Sequence, residues 1–149
     1  MTKFVCGFAF EGQNVALIRK KRPEWQAGLL NGIGGHVEHG ETFLEAMVRE
    51  FREETGYSSD PRSWIPFAEW KTENAHVLFY KAYIPMLEDV LHTVTDEKVE
   101  IVPVRSVTPF NCLPNLVWLI SMAINVVYDG FMKDSIFTLG KREYGTEER

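Results

Sequence analysis

Two short apolar runs open the chain and are separated by a polar turn. Residues 3–10, KFVCGFAF, are rich in aromatic and small apolar side chains, and residues 14–20, NVALIRK, are mostly aliphatic. The EGQN segment between them carries turn-forming residues. This pattern of two apolar runs around a turn predicts a β-hairpin.

The next part of the chain predicts a glycine-rich loop followed by a helix. Residues 21–35 contain Pro23 and four glycines, which indicates a long ordered loop. Thr42 and Glu45 have the spacing of a helix capping box, and Gly56 lies where a helix would end. We therefore expect a helix over residues 42–55.

The second half of the chain predicts further strands and one more helix. Strands are expected at residues 63–71, 75–85 and 98–104, with a last edge strand at 135–140 and a frayed tail at 141–149. The second helix is expected from Pro114 to Asp129, just before Gly130. No repeat or linker interrupts this order. Residues 1–149 are therefore expected to form a single domain of the α/β (α+β) class.

Composition and charge narrow the classes of function. The chain has 149 residues, 45% hydrophobic and 25% charged, which suits one soluble domain with a sizeable core. Its net charge of −5 argues against polymeric nucleic acid and acidic membranes as partners, because both attract basic surfaces. Cys6 and Cys112 have no paired spacing, and neither a signal peptide nor a membrane span is recognised. We expect a cytoplasmic protein.

Carboxylates are crowded on the first predicted helix. Glu45 and Arg49 are four residues apart and are expected to pair on one side of it. Glu50, Glu53 and Glu54 share another side, where neighbouring like charges weaken a helix. Two interpretations follow from this crowding. The helix is either an ordinary solvated, charge-rich helix or part of a site for a hard cation such as Mg²⁺ or Mn²⁺.

The segment that begins at Gly35 favours the second interpretation. Its spacing resembles the signature of the Nudix hydrolases: glycine, five residues, glutamate, seven residues, then Arg-Glu-apolar-x-Glu-Glu-x-Gly-apolar. Phe51 and Tyr57 take the apolar positions, where the family more often has aliphatic residues. The resemblance implies the Nudix fold, a mixed β-sheet sandwiched between the two predicted helices. The fixed positions of the signature are filled by Gly35, Glu41, Arg49, Glu50, Glu53, Glu54 and Gly56.

The resemblance also implies a metal site and a catalytic set. Glu50, Glu53 and Glu54, together with the backbone carbonyl of Gly35, would hold Mg²⁺ or Mn²⁺ against the phosphates of a substrate. Glu50 and Glu53 are the expected catalytic carboxylates, with Glu53 the first choice for general base. Arg49 would orient Glu53 from one helical turn away.

Two further glutamates are assigned roles by the same resemblance. Glu41, near the start of the helix, is expected to support the loop geometry, with direct metal binding as the alternative. Family members often add an acidic residue from a distant loop, as metal ligand or general base. Glu97 is the candidate for that role here, and the alternative is an ordinary surface residue.

The glycine-rich loop carries a second resemblance, which implies a nucleotide with a purine base. Asn31-Gly32 ahead of the double glycine resembles the entry loop of the MutT-like, oxidised-purine triphosphatase branch, in which an asparagine at this position hydrogen-bonds the base. An amide suits this role because it offers both a donor and an acceptor. The alternative is that Asn31 only shapes a turn beside Gly32. His36 departs from the lysine that commonly follows the double glycine.

Three more residues are candidates for contacts with substrate. Trp25 is expected either to stack on a base or to be buried beneath the loop. Arg22, with Lys20 and Lys21, could steer a polyphosphate or could simply be solvated. Asn115 lies near the position where relatives place a base-reading residue.

The resemblance therefore implies a metal-dependent enzyme. The expected reaction is hydrolysis of a (deoxy)nucleoside triphosphate, such as the oxidised purine 8-oxo-dGTP, to the monophosphate and pyrophosphate. One alternative is a hydrolase of nucleoside-diphosphate conjugates such as ADP-ribose, NADH or dinucleoside polyphosphates. A second is a noncatalytic nucleotide-sensing module. The expected partner is a small nucleotide, and the protein is expected to be a monomer or a homodimer.

Overall fold

The predicted hairpin is present and lies at the centre of the molecule. β1 (Thr2–Glu11) and β2 (Asn14–Arg19) pair antiparallel, with Phe10 opposite Val15. The computed structural model describes residues 1–125 and 137–140 of the chain. Within it, every residue of β1 from Val5 to Phe10 is buried, because both faces of this strand are covered. A strand covered on both faces has a continuous apolar run rather than an alternating one.

Part of the predicted glycine-rich loop is strand, so the prediction of a loop through residue 35 is wrong. β3 (Leu30–Asn31) pairs with β2, and β4 (Ile33–His36) pairs antiparallel with β1. A Cβ atom on Gly34 would lie 1.9 Å from the carbonyl oxygen of Val5, so only glycine fits at this position. The glycines here permit close pairing of strands, which a loop-forming composition does not reveal.

The other strands complete one mixed sheet and confirm the predicted strand positions to within a few residues. Their bounds are β5 (Ile65–Lys71), β6 (Ala75–Tyr83), β7 (Lys98–Pro103) and β8 (Phe137–Gly140). The strand order is β3-β2-β1-β6-β5-β8, with β4 also pairing with β1 and β7 with β2. β6 is parallel to β1 and β8 is parallel to β5, whereas the other pairs are antiparallel.

The first predicted helix is confirmed with its capping box. α1 (Phe43–Thr55) begins after Thr42, whose hydroxyl accepts from the Glu45 N–H at 3.1 Å while the Glu45 carboxylate accepts from the Thr42 N–H at 2.8 Å. The helix ends at Gly56. Its apolar side, which includes Phe51, packs on the face of the sheet that carries Val5 and Ala9 of β1.

The second predicted helix is present but shorter than predicted. α3 (Leu116–Ile124) begins two residues after Pro114 and is followed by Asn125 in an extended conformation, with ψ of 106°. The expectation of a continuous helix to Asp129 is therefore wrong at Asn125. Residues 126–129 lie outside the described part of the chain. The apolar run did not show this end because neither glycine nor proline marks it.

A short helix that the sequence pattern did not predict follows β6. α2 (Leu87–Val90) has only four residues, too few for a helical period to be visible in sequence. The carboxylate of Glu11 caps it by accepting from the backbone N–H groups of Met86 and Leu87. This contact joins residues more than seventy positions apart, so no local pattern could indicate it.

The helices cover opposite faces of the sheet, which confirms the predicted α+β layering. α1 and α2 pack on the face with Val5 and Ala9, whereas α3 packs on the face with Phe8 and Phe10. Alternate residues of β1 thus contribute to two separate apolar cores. Among the described residues, no helix is both long and apolar enough to cross a membrane.

Candidate active site

A cleft of about 680 Å³ opens on the sheet face that also carries α3. Phe4 and Cys6 of β1 lie beside Val77 and Phe79 of β6, and alternate positions along each strand place these four side chains on the same face. The predicted site residues that line the cleft are Trp25, Asn31, Gly35, Glu54, Glu97 and Asn115. Residues from four distant parts of the sequence therefore meet at one opening.

Arg49 organises the carboxylates on α1. Its Nε and Nη2 atoms donate to the two oxygens of Glu41 at 2.7 and 3.0 Å, and Nη2 also donates to the carbonyl oxygen of His36 at 2.8 Å. Its Nη1 atom donates to Oε1 of Glu50 at 2.9 Å and to Oε2 of Glu53 at 3.2 Å. These hydrogen bonds, above all those from Arg49 to Glu41, raise the pKa of Arg49 and lower that of Glu41. The predicted contact between Arg49 and Glu53 is present.

The predicted pair between Glu45 and Arg49 is wrong. The Glu45 carboxylate caps the backbone of Thr42, and the Arg49 guanidinium turns instead towards Glu41. Glu41 also accepts from the backbone N–H of Glu38 at 2.9 Å, which links the loop before α1 to Arg49. Glu41 therefore supports the loop geometry, as predicted.

Glu50 is pressed against the backbone of β4. A Cβ atom on Gly35 would lie 2.5 Å from Oε1 of Glu50, so the carboxylate occupies the space that any other residue at position 35 would fill. Burial raises the pKa of Glu50, the hydrogen bond from Arg49 opposes that rise, and the charges of Glu53 and Glu41 add to it. A buried carboxylate among like charges is stabilised by a nearby cation.

Glu54 has a similar environment one turn further along α1. Its Oε2 atom accepts from the Thr95 hydroxyl at 3.0 Å. Burial raises the pKa of Glu54, the bond from Thr95 opposes the rise, and the charges of Glu97 and Glu50 add to it. Glu54 and Glu97 both line the cleft, and the negative charge of Glu97 disfavours the charged form of Glu54.

The three signature carboxylates each keep one oxygen without a protein donor among the described residues. Arg49 engages Oε1 of Glu50 and Oε2 of Glu53, and Thr95 engages Oε2 of Glu54. The second oxygens of these carboxylates are the hard, anionic ligands that Mg²⁺ and Mn²⁺ prefer. In the described ranges, no three acidic, histidine or cysteine side chains already converge as a metal cage. Carboxylate oxygens are suitable ligands for a divalent cation. In this structure, the three side chains are directed to their separate hydrogen-bond partners rather than to one shared point.

Glu97 is buried, so the alternative of an ordinary surface residue is wrong. It is 5% exposed, and its carboxylate accepts from Lys20 Nζ at 3.0 Å and from the Lys21 N–H at 2.6 Å. Burial by itself would raise the pKa of Glu97, but these donors outweigh it and hold the pKa below its usual range. Glu97 is thus an anion fixed in the lining of the cleft, and each of its two oxygens accepts one hydrogen bond from the protein.

Asn31 has its side-chain oxygen committed within the protein. Oδ1 accepts from the Gly32 N–H at 2.8 Å, and the Cys6 thiol lies 4.0 Å away as a second, weak donor. Because an N–H group must face the oxygen, the amide can turn only its NH₂ group towards the cleft. Asn31 therefore shapes the turn and also offers a donor, but not the acceptor that the sequence argument attributed to it.

The other predicted substrate residues differ in their placement. Trp25 lies in a 3-10 turn (Glu24–Gln26) and is 69% exposed, so burial beneath the loop is wrong. Asn115 precedes α3, makes no capping hydrogen bond with its side chain, and lines the cleft. Arg22 does not line the cleft; its guanidinium pairs with the exposed carboxylate of Asp96.

Two residues of this region, Trp70 and Thr95, had no role assigned from the sequence, and Lys20 was considered only as part of a basic run. Trp70 on β5 lines the cleft and is 43% exposed, but a strand pattern alone gave no reason to single it out. Lys20, which was considered for steering a polyphosphate, lines the cleft and donates to Glu97. Thr95 contacts Glu54 over 41 sequence positions, a contact that no spacing rule indicates.

Comparison with known proteins agrees with the family resemblance of the sequence. A family model described as the NUDIX domain matches residues 4–115, which is most of the chain. Phosphatase NudJ of Escherichia coli is 45% identical over 42 residues. That match covers 28% of this chain and 28% of NudJ, so the similarity extends over a small part of the relative.

Solved structures share the fold at low sequence identity. A NUDIX hydrolase from Nitrosomonas europaea has a TM-score of 0.69 and 12% identity, and the match covers 94% of this chain and 79% of that one. A MutT/nudix family protein from Enterococcus faecalis has a TM-score of 0.60 and 19% identity. The match covers 68% of this chain but only 43% of the Enterococcus protein.

Proposed function

The chain belongs to the Nudix family, and from this membership we propose that it hydrolyses a pyrophosphate linkage in a nucleoside polyphosphate, with Mg²⁺ or Mn²⁺ as cofactor. The family match indicates a pyrophosphohydrolase, and members generally act on small nucleotide derivatives with divalent metals. One observation carries the proposal for this chain. Of the signature carboxylates of α1, Glu54 lines the cleft and Glu50 lies against Gly35, which also lines it, whereas Glu53 is outside the lining. Each of the three keeps one oxygen without a protein donor among the described residues.

The proposed metal ligands are Glu50, Glu53, Glu54 and Glu97 with the Gly35 carbonyl. A bound divalent cation would neutralise charge on the phosphate oxygens and lower the pKa of the attacking water. Burial disfavours the charged forms of Glu50 and Glu54, which supports a role in holding a cation.

Glu53 is the proposed general base. It is the most exposed of the three signature carboxylates, with 52% of its side chain accessible, so water can reach it. Arg49 donates to one of its oxygens, and the other oxygen has two lone pairs, one for a cation and one to accept a proton from the water. In the proposed reaction, water attacks a phosphorus atom of the linkage and Glu53 takes a proton from that water. The bridging P–O bond breaks, its electron pair stays on the bridging oxygen, and the monophosphate and pyrophosphate separate. Arg49 acts by positioning Glu53 and Glu50.

The proposed substrate is a purine (deoxy)nucleoside triphosphate, with 8-oxo-dGTP as one member of the class. Trp25 offers an exposed ring for stacking on a base. Asn31 and Asn115 line the same cleft and provide amides for hydrogen bonds to the base edge. Arg22 is proposed to act on the approaching polyphosphate by its charge, since its side chain pairs with Asp96 outside the cleft lining.

A panel of compounds with Mg²⁺ tests the proposal. It compares canonical and oxidised nucleoside triphosphates with ADP-ribose, NADH and dinucleoside polyphosphates, and each product is identified. The Glu53→Gln variant serves as the blank. Glu45→Gln is the matched control, because Glu45 lies on the same helix and glutamine also completes a capping box.

Each outcome of the panel assigns a different activity. Monophosphate and pyrophosphate from one or a few triphosphates would support the proposal and name the base. Release of inorganic phosphate would favour a phosphatase, the activity in the name of NudJ. Release of two monophosphates from a conjugate would instead identify a hydrolase of nucleoside-diphosphate conjugates. No turnover above the Glu53→Gln blank on any compound would favour a noncatalytic nucleotide sensor and contradict the proposal.

A further inference from the structure

The loop of residues 92–97, which we name the bridging loop, joins both sides of the carboxylate region. At one end, the His92 N–H donates to the carbonyl oxygen of Thr55 at the end of α1, at 2.9 Å. At the other end, the buried carboxylate of Glu97 accepts from Lys20 and Lys21 at the end of β2. The bridging loop is thus anchored to α1 and to β2 at once.

The hydroxyl of Thr95 makes two hydrogen bonds in the middle of this loop. It donates to Oε2 of Glu54 at 3.0 Å and accepts from the backbone N–H of Glu97 at 3.2 Å. A hydroxyl has one hydrogen and two lone pairs, so both bonds form together. The hydroxyl oxygen of Thr95 therefore connects the Glu54 carboxylate on α1 to the backbone of Glu97 in the bridging loop.

We propose that Thr95 is a positioning residue for the metal site, holding the Glu54 carboxylate in the orientation that leaves its Oε1 atom available to a divalent cation. This inference rests on the proposed function, because it takes Glu54 to be a metal ligand. Without the hydroxyl, Glu54 would lose its donor and would move away from Glu97, which carries the same charge. Outer partners of metal ligands act in this way, by fixing the direction of the ligand atom.

Thr93 provides a matched control within the same loop. Its hydroxyl accepts from the Val99 N–H at 3.0 Å, much as Thr95 accepts from the Glu97 N–H. The two threonines are both exposed and differ in that Thr95 also donates to a carboxylate. Replacing each by valine removes a similar loop bond, but only Thr95→Val removes the bond to Glu54.

The test measures Mn²⁺ binding to the full chain without substrate, by calorimetry or by electron paramagnetic resonance. We expect Thr95→Val to weaken Mn²⁺ binding about tenfold, the lower end of what the loss of such partners costs. Thr95→Ser, which keeps the hydroxyl, should stay within about threefold of wild type. Thr93→Val should bind Mn²⁺ as wild type does. The temperature of thermal unfolding is recorded for each variant, so that a loss of fold is recognised.

A double variant shows whether Thr95 acts through Glu54. Thr95→Val should cause no further loss of Mn²⁺ affinity when it is added to Glu54→Gln, because the two changes affect one interaction. Wild-type affinity in Thr95→Val, or an equal loss in Thr93→Val, overturns the inference. If Glu54→Gln alone leaves Mn²⁺ affinity unchanged, Glu54 is not a ligand, and the proposed metal site fails together with the inference.

Discussion

The carboxylate set (Glu50, Glu53, Glu54 and Glu97) and the recognition set (Trp25, Asn31 and Asn115) are held in different ways. Each carboxylate has a charged or hydroxyl partner, supplied by Arg49, Thr95 or Lys20. In the recognition set, the Asn31 oxygen is fixed by its own turn, the side chain of Asn115 makes no capping bond, and Trp25 is largely exposed. The first set is therefore oriented in advance, whereas in the second set only Asn31 is held and Trp25 and Asn115 can adapt.

This difference assigns separate tasks to the two sets. Fixed charges that surround a reacting group need no rearrangement during the reaction, which favours chemistry. Exposed aromatic and amide groups gain their partners only when a ligand arrives, which favours selection between ligands. Changes in the carboxylate set should thus lower turnover on all substrates, whereas changes in the recognition set should alter the preference between them.

The largest effect is expected from Glu53→Gln. Loss of this carboxylate should lower kcat by about 10²–10³-fold on every substrate, a size typical of removing one group that acts in the transition state. The fold should be retained, because Glu53 is half exposed and the change relieves repulsion with neighbouring carboxylates. Steady-state kinetics and thermal unfolding check both statements. Wild-type kcat with Mg²⁺ would remove Glu53 from the catalytic set.

A smaller loss is expected from Gly35→Ala. The new Cβ atom would lie 2.5 Å from the Glu50 carboxylate, which Arg49 holds in place, so that carboxylate must shift. A displacement of this kind should lower kcat by up to about 10²-fold. The loss should not add to that of Glu50→Gln in a double variant, because both act on one carboxylate. Fully additive losses would show that Gly35 matters for another reason.

Asn31→Asp tests the side-chain NH₂ group of Asn31 separately from the turn. It removes this donor but keeps the oxygen that accepts from Gly32. A carboxylate oxygen at position 31 still accepts from the Gly32 N–H, but nothing there can donate to a base. ITP and ATP differ at position 6 of the purine, which is a carbonyl in ITP and an amino group in ATP. We expect the variant to change the ratio of their kcat/KM values by about tenfold in favour of ATP. An unchanged ratio would mean that Asn31 only shapes the turn.

The smallest effect is expected from Trp25→Ala. Loss of a stacking ring should raise KM by about tenfold and leave kcat unchanged, because stacking contributes equally to the ground and transition states. Trp25→Phe should recover most of the affinity. Phe110→Ala is the control, because Phe110 is 93% exposed and lies outside the cleft lining. Equal changes in KM for Trp25→Ala and Phe110→Ala would contradict a specific role for Trp25.

The same contrast explains which parts of the structure the sequence could predict. α1 and its carboxylates follow from local rules, because side chains three and four residues apart on a helix are neighbours. The capping box and Gly56 set its ends for the same reason. Glu45 shows the limit of these rules. Its spacing permits a pair with Arg49, but a distant partner, Glu41, takes the guanidinium.

Features that depend on distant contacts were not predictable in the same way. β4 can pair with β1 only because Gly34 has no Cβ atom, which lets the Val5 backbone approach closely. The glycine-rich composition alone indicated a loop. The orientation of the Asn31 amide depends on which N–H group faces it in the folded chain. Thr95 acquires its partner only when the bridging loop meets α1.

Crystallography with Mn²⁺ would show whether the signature carboxylates form a metal site. We expect an anomalous difference peak among the carboxylates of α1, with oxygens of Glu50, Glu53 or Glu54 at bonding distance, about 2.1 Å for a cation of this size. Arg49 should still hold the oxygens of Glu41 in that crystal. If crystals soaked at millimolar Mn²⁺ show no peak among these carboxylates, or a peak only elsewhere, the signature carboxylates do not form the metal site.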